Sequence, residues 1–323
     1  MSMKRRDFLK MAAVAATASL SWHSTAAAET RNGMPYRTLG KTGEAVSLLC
    51  VGGYHIGMRS LSDEESVALM RTAVDEGVNF FDNAWSYHGG VSERRMGQAL
   101  KDGYRDKVFL MTKVNGRTAQ MAESQLNDCL TRLDVDVIDL LQVHEVVFDE
   151  EVDKVYDEVI EVIEKARDAG KIRHIGFTGH NWPRVHRAMI ERGYDWKTVQ
   201  MPLNVFDHHF RSFEQEILPM ARERNMGVIG MKTSAGGPIP IGSKVATALE
   251  CLRYTMGLPG VSSVCSGMAT MEHLRENIAL AKSFQPYEPE ELASLLERTY
   301  EHAMTGEFEP YKTRWHAARE AQA

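Results

Sequence analysis

Cysteine is scarce: the 323 residues contain four, Cys50, Cys129, Cys251 and Cys265, with no CxxC pair and no histidine at a metal-ligand spacing. That excludes a disulfide scaffold and a zinc-ribbon fold. Each lies in an apolar segment and reads as a buried thiol, although an oxidising compartment would permit disulfides. Basic charge is not in excess either. Lys and Arg number 38 against 44 Asp and Glu, for a net charge of −6, so the chain lacks the cationic face that nucleic-acid binding needs. No apolar run approaches the ~20 residues that span a bilayer, which argues against a permanent membrane anchor. The glycine fingerprint of an open dinucleotide-binding sheet is missing too, since "CVGGYHIGM" does not have its spacing. Hydrophobic residues make up an ordinary 43%, which leaves a folded protein with a sizeable core.

The first residues have a different character. "KRRDFLK" carries the pair Arg5 and Arg6, a weakly apolar, alanine-rich stretch follows over residues 11–20, and "STAAAET" then presents Ala26-Ala27-Ala28 before Glu29. This resembles a twin-arginine export signal over residues 1–28 with a small-residue cleavage site. The resemblance implies recognition by the twin-arginine translocase and a periplasmic or otherwise exported mature chain. No cysteine follows the apolar stretch, so a lipid anchor at that point is not expected. Such signals export chains that are already folded, so a cofactor would be loaded beforehand.

From Glu29 onward the pattern is regular. "MPYRTLGKTGEAVS" reads as a hairpin about a Gly-Lys-Thr-Gly turn. Short, nearly continuous apolar runs then alternate with longer amphipathic ones: "VSLLCVGGY", "VNFFDNA", "KVFLMTKV", "DVIDLLQVHE", "IRHIGFTGH", "TVQMPLNV", "MGVIGMKTS" and "VSSVCSGM" are each followed by a segment of helical period. Val152, Val155, Val159, Val162 and Ile163 make one such helical stripe. Eight strand–helix units predict an α/β fold, a (β/α)8 TIM barrel with an N-terminal β-hairpin and an extra C-terminal helix in "EPEELASLLERTYEHAM", ahead of a charged tail. Residues 29–323 read as a single domain.

In such a barrel the chemistry sits where strands end, at the C-terminal mouth. Asp82 ends the second run with Tyr87 just beyond, Lys113 ends the third, and His144 ends the fourth. "YRTLGKTGEAVSLLCVGG", "NFFDNAWSYHGGVSERRMGQAL", "VFLMTKV", "DVIDLLQVHE", "KIRHIGFTGH", "VQMPLNV" and "TMEHLRENI" together resemble the aldo-keto reductase family over residues 35–284. The resemblance implies an NAD(P)-dependent oxidoreductase that interconverts a small carbonyl compound, aldehyde or ketone, and its alcohol. The family's catalytic tetrad falls on Asp82, Tyr87, Lys113 and His144. For cofactor binding it implies Gln200 and Thr178 at the nicotinamide amide, with Gly179 where the family has asparagine and His180 or Asn181 as substitutes. It places Met231 against the ring where an aromatic is usual, Lys232 at the pyrophosphate, and Gly267, His273, Glu276 and Asn277 around the adenosine. NADP(H) is favoured and NAD(H) stays open, because only Arg275 lies near a register that reaches the 2′-phosphate. No metal is implied.

The chemistry of the four is coherent in itself. An unperturbed phenol, with a pKa near 10, is poorly matched to proton exchange at neutral pH. A lysine beside Tyr87, held by Asp82, is expected to lower its pKa, and His144 to position a carbonyl oxygen. Tyr54, His55, Trp85, His88 and Phe206 are candidates to line the pocket. Two other classes fit parts of the pattern: a non-catalytic nucleotide-binding or regulatory subunit on the same fold, and a metal-dependent barrel hydrolase using His144, Glu145 and Asp82 or His208 and His209. Lys113 in the same pocket weighs against the latter, because it would repel a cation.

Overall fold

The computed structural model describes residues 29–236 and 245–313, and the export signal expected over residues 1–28 lies outside the described residues. The hairpin forms as β2 (Met34–Thr38) against β3 (Ala45–Ser47), and β1 (Thr30–Arg31) adds a third antiparallel strand. The eight apolar runs become β4 (Leu49–Gly52), β5 (Phe80–Asp82), β6 (Phe109–Val114), β7 (Ile138–Val143), β8 (Ile172–Thr178), β9 (Thr198–Pro202), β10 (Gly227–Met231) and β11 (Val261–Gly267). They pair in parallel and close into a barrel in chain order, with β11 against β4. The expected (β/α)8 architecture is therefore the observed one.

Alternation along the strands divides the core in two. Phe80, Cys50, Phe109, Met111, Leu140 and Ile229 point into the barrel. Phe81, Leu110, Leu141, Phe177 and Val199 point out beneath the helices. The barrel floor is closed by the hairpin, which contributes Leu39 and Val46 to the inner cluster. Gly40 permits this approach: its φ is +50°, and a Cβ there would run into the backbone of Met226 and Gly227.

The helices start where their caps direct. Ser62 and Glu65 form a capping box on Asp63–Asp75, Thr118 caps Ala119–Leu133, and Thr247 with Glu250 caps Ala248–Gly257. The valine stripe lies on Asp149–Lys154 and Ile160–Asp168, joined by a π turn over Val155–Val159, and buries Val152, Val155, Val159 and Ile163. None of the described helices is long and apolar enough to cross a membrane.

The extra C-terminal helix is Pro289–Ala303. Of the charged tail expected beyond it, residues 308–312 fold back against the barrel. The chain turns back so that Phe308 O accepts from Gly236 N at 2.6 Å, and Tyr311 sets its ring edge-on to His180 at 5.5 Å. Lys312 is fully buried and donates to Asp207 at 2.5 Å, Glu309 at 2.9 Å and the Phe210 carbonyl at 2.8 Å. Residues 308–312 thus form a strap against the loops that leave β8, β9 and β10.

Candidate active site

Asp82 is the last residue of β5, turned inward by alternation from Phe80 and only 3% exposed. It lies level with Met111 of β6. Lys113 is one inward step nearer the mouth, so its stem reaches back down to the carboxylate. The loop after β5 stays tied to β6 through Asn83 N to Met111 O at 2.8 Å and Trp85 N to Lys113 O at 2.9 Å. Left-handed conformations at His88, Gly89 and Gly90 then turn the chain, which returns Tyr87 over Lys113.

The Lys113 ammonium has three protons and three acceptors: Asp82 Oδ1, the Asn83 carbonyl at 2.8 Å and Tyr87 Oη at 3.3 Å. Because Lys113 donates to the phenol oxygen, the Tyr87 O–H proton is left to point elsewhere. His144 follows β7 and meets the Tyr87 ring edge-on at 6.2 Å, and its Nδ1 has no partner among the described residues. Asp82, Tyr87, Lys113 and His144 therefore converge as the sequence suggests.

The electrostatics differ from expectation in one respect. Burial pushes the Tyr87 hydroxyl above its ordinary range, and the pull of Lys113 in the opposite direction only partly offsets this. The expected lowering exists as a contribution, but desolvation outweighs it. Burial also acts to lower Lys113, yet Asp82 and Tyr87 hold it above its usual value, so it stays an ammonium. His144 is pushed down to about 3 by burial and by Lys113. It is neutral across the physiological range.

Close to these four are buried polar atoms without a partner among the described residues: Thr178 Oγ1, Gln200 Oε1 and both amide atoms of Asn181. Thr178 and Gln200 are register neighbours on β8 and β9. Gly179 leaves no room for the asparagine usual in the family, because a Cβ there would lie 2.6 Å from Val146 O and 2.9 Å from the His186 ring. His180 is engaged by Glu145, whose carboxyl is held down to about 2: burial acts against this, and the His180 hydrogen bond and charge outweigh it.

Met231 ends β10 partly buried, and Lys232 follows with φ +53° and its ammonium 4.9 Å from the Tyr311 ring. Gly267 ends β11 under the His55 imidazole, which a Cβ there would overlap. His273, Glu276 and Asn277 sit apart from the tetrad, on the helix Met271–Lys282 outside the barrel. His273 and Glu276 are exposed, and Asn277 donates to Ser266 Oγ at 3.0 Å. Of the pocket-lining candidates, Tyr54 fits: it is 52% exposed and edge-on to Tyr87 at 5.4 Å. Two do not. Trp85 turns outward to Asp128 at 2.9 Å, and Phe206 is buried beneath Phe308.

Sequence reasoning missed one contact of the site. Cys265 reads as a core thiol in the sequence, but it is only partly buried and its Sγ lies 3.1 Å from Asp82 Oδ2. Inward alternation on β11 through Ser263, Cys265 and Gly267 was the available signal.

A closed parallel barrel that carries a carboxylate–lysine–phenol line at its C-terminal mouth is a (β/α)8 barrel with a polar site where its strands end. Residues 48–240 match the model of the Aldo/keto reductase family, and the chain belongs to that family as an NAD(P)H-dependent oxidoreductase. It is similar to L-galactose dehydrogenase of Arabidopsis thaliana, 28% identical over 281 residues that cover 75% of this chain and 86% of that one. It is also similar to aldo-keto reductase YhdN of Bacillus subtilis (strain 168), 32% identical over 210 residues and 60% of each chain. Among solved structures, aldo-keto reductase AKR11C1 from Bacillus halodurans in its holo form shares the fold, with a TM-score of 0.71 at 22% identity over 85% of this chain and 99% of that one. An aldo/keto reductase from Klebsiella pneumoniae in complex with NADP and acetate superposes with a TM-score of 0.68 at 25% identity, covering 82% and 95% of the two chains.

Proposed function

We propose that the protein interconverts a small aldehyde or ketone and its alcohol, with Tyr87 as general acid in reduction and general base in oxidation. The observation that carries this is the hydrogen-bonded line from Asp82 through Lys113 to Tyr87. Lys113 takes a lone pair of the phenol oxygen, so the remaining O–H is the one offered to a carbonyl oxygen. Neutral His144 supplies an N–H to the same oxygen without introducing a charge, and two donors stabilise the negative charge that develops there. A bound nicotinamide nucleotide supplies or takes the hydride.

Thr178, Asn181 and Gln200 are the side chains that would hold the nicotinamide amide, because their unsatisfied donors and acceptors match an amide's own. Met231 would pack on the ring and Lys232 neutralise the pyrophosphate. Gly267, His273, Glu276 and Asn277 would border the adenosine. NADP(H) is the favoured nucleotide: Arg275 is exposed near the register for a 2′-phosphate, and the Klebsiella pneumoniae relative was solved with NADP. The Arg5–Arg6 pair and the Ala26–Ala28 site support export of residues 29–323 by the twin-arginine translocase, with the nucleotide loaded before export.

The test is oxidation of NADPH and of NADH by the chain from Glu29 onward with a panel of aldehydes, ketones and quinones, beside Tyr87→Phe. Turnover that falls by about 10²-fold or more in the variant is expected for a lost proton donor. Nucleotide binding without turnover in either protein would favour a regulatory subunit. Fractionation of cells producing the full chain reports its location, and cytoplasmic retention would remove the export proposal.

A further inference from the structure

Asp82 is held by more than Lys113. Oδ1 accepts from Lys113, while Oδ2 accepts from Gln200 Nε2 at 3.0 Å and from Cys265 Sγ at 3.1 Å. Cys265 belongs to β11, and β4 lies between it and β5. The thiol reaches across because β4 has a glycine at that level. Gly52 is registered with Asp82 on one side and Gly267 on the other, and a Cβ on Gly52 would sit 3.2 Å from Cys265 Sγ and 2.9 Å from Ser266 O. Cys50, registered with Cys265, directs its own thiol toward Val51 O at 3.8 Å. It does not compete for Asp82.

We propose that Cys265 is a positioning residue of the active site: its S–H donates to Asp82 Oδ2 and fixes the carboxylate that in turn holds Lys113 beneath Tyr87. The proposal rests on the reading of Tyr87 as the proton-exchanging group. With one donor on each oxygen, Lys113 and Gln200, the carboxylate can still tilt and carry the ammonium with it; the thiol adds a second donor on Oδ2. Held from β6 on one side and from β9 and β11 on the other, it keeps a single orientation. A donor suits the position because the carboxylate is an acceptor only. The contact with Cys50 and burial both raise the Cys265 thiol well above its usual range, so the sulfur keeps its proton.

Loss of the S–H has a predictable sign. Lys113 from β6, His144 after β7, Cys265 from β11, Cys50 from β4, Tyr54 from the turn after β4 and Lys232 after β10 are the titratable groups that surround Tyr87 and Asp82. Lys113 favours the phenolate, whereas the Asp82 charge opposes it; Cys265 would oppose it only as a thiolate, and the sulfur keeps its proton. Removing the thiol leaves Lys113 less firmly placed and the Asp82 charge less compensated. Both changes raise the phenol further.

The experiment uses the full chain with Cys265→Ala and Cys265→Ser. The alanine variant is expected to lose about five- to tenfold in kcat, the size of one ordinary hydrogen bond, because the thiol is a weak donor, with KM nearly unchanged. Its limb in the pH profile of alcohol oxidation should move to higher pH, and serine should restore both. A wild-type kcat and limb in Cys265→Ala overturns the proposal, as does a loss of kcat with an unmoved limb that serine does not restore. Infrared spectra supply a readout that needs no turnover. The wild-type S–H stretch assigned by difference against Cys265→Ala should be lowered in frequency and should relax upward in Asp82→Asn, while an unshifted band overturns the proposal. A shifted band in a wild-type protein that turns over no carbonyl would support the hydrogen bond and count instead against the reductase reading.

Discussion

Asn181 is fully buried, and neither its amide nitrogen nor its amide oxygen has a partner among the described residues. A buried polar atom left unsatisfied costs about 1–3 kcal/mol, so two on one side chain are expected only where something else completes them. Gly179, two residues earlier, has no room for a side chain, so an amide for the nucleotide would have to come from further along the loop. Asn181→Ala is expected to raise the nicotinamide nucleotide dissociation constant about tenfold. Its kcat with saturating nucleotide should change much less. Titration of intrinsic fluorescence measures the constant, and an unchanged value would remove Asn181 from the amide-binding row.

Among the elements, the C-terminal strap shows how misleading charge can be in a sequence. Residues 305–313 carry Glu307, Glu309 and Lys312, a composition that usually means solvent exposure. Here Lys312 and Glu309 are buried with Asp207 because one ammonium meets two carboxylates and a backbone carbonyl. Burial pushes the Asp207 carboxyl up to about 7, with Lys312 pulling it back and Glu309 adding to the rise. Removing the cation leaves the carboxylates uncompensated, so Lys312→Met is expected to cost about 3–5 kcal/mol in urea unfolding. Lys165→Met, which breaks the exposed pair with Glu161, should leave the unfolding midpoint nearly unchanged, because solvent screens that pair. Equal effects from the two substitutions would show that the strap does not depend on its buried ion cluster.

At the scale of the whole molecule, buried neutral histidines make the fold sensitive to acid. His186 packs between Phe177 and Phe213, 1% exposed, and burial pushes it down to about 3. An unfolded histidine titrates near 6.5. The unfolded chain therefore binds this proton first, so the contribution of His186 is fully present above about pH 6.5 and is lost as the pH falls toward 3, on the order of 5 kcal/mol across that window. His186→Gln, which does not titrate, should flatten the acid side of the stability profile measured by chemical denaturation. A profile parallel to that of the wild type would mean that His186 is not the group responsible.

The barrel was legible because its determinants are local and repeated. Eight short apolar runs, each before an amphipathic segment, leave few ways to bury every strand on both faces, and alternation alone aims Asp82 and Lys113 inward. The features that the sequence could not reveal arise where distant strands meet at the barrel mouth. Whether Lys113 or desolvation governs Tyr87 depends on how much water reaches the phenol, and burial wins. That Cys265 touches Asp82 depends on Gly52 leaving a passage across β4. That Lys312 is interior depends on Asp207, more than a hundred residues away. The sequence by itself determined the periodicity, and with it the fold; its motifs carried the resemblance to the family and put Asp82, Lys113 and His144 at strand ends with Tyr87 just beyond one of them. The tertiary structure alone decided hydrogen-bond partners and proton affinities, because both depend on which groups exclude water from one another, and that is a property of the closed barrel rather than of any one segment.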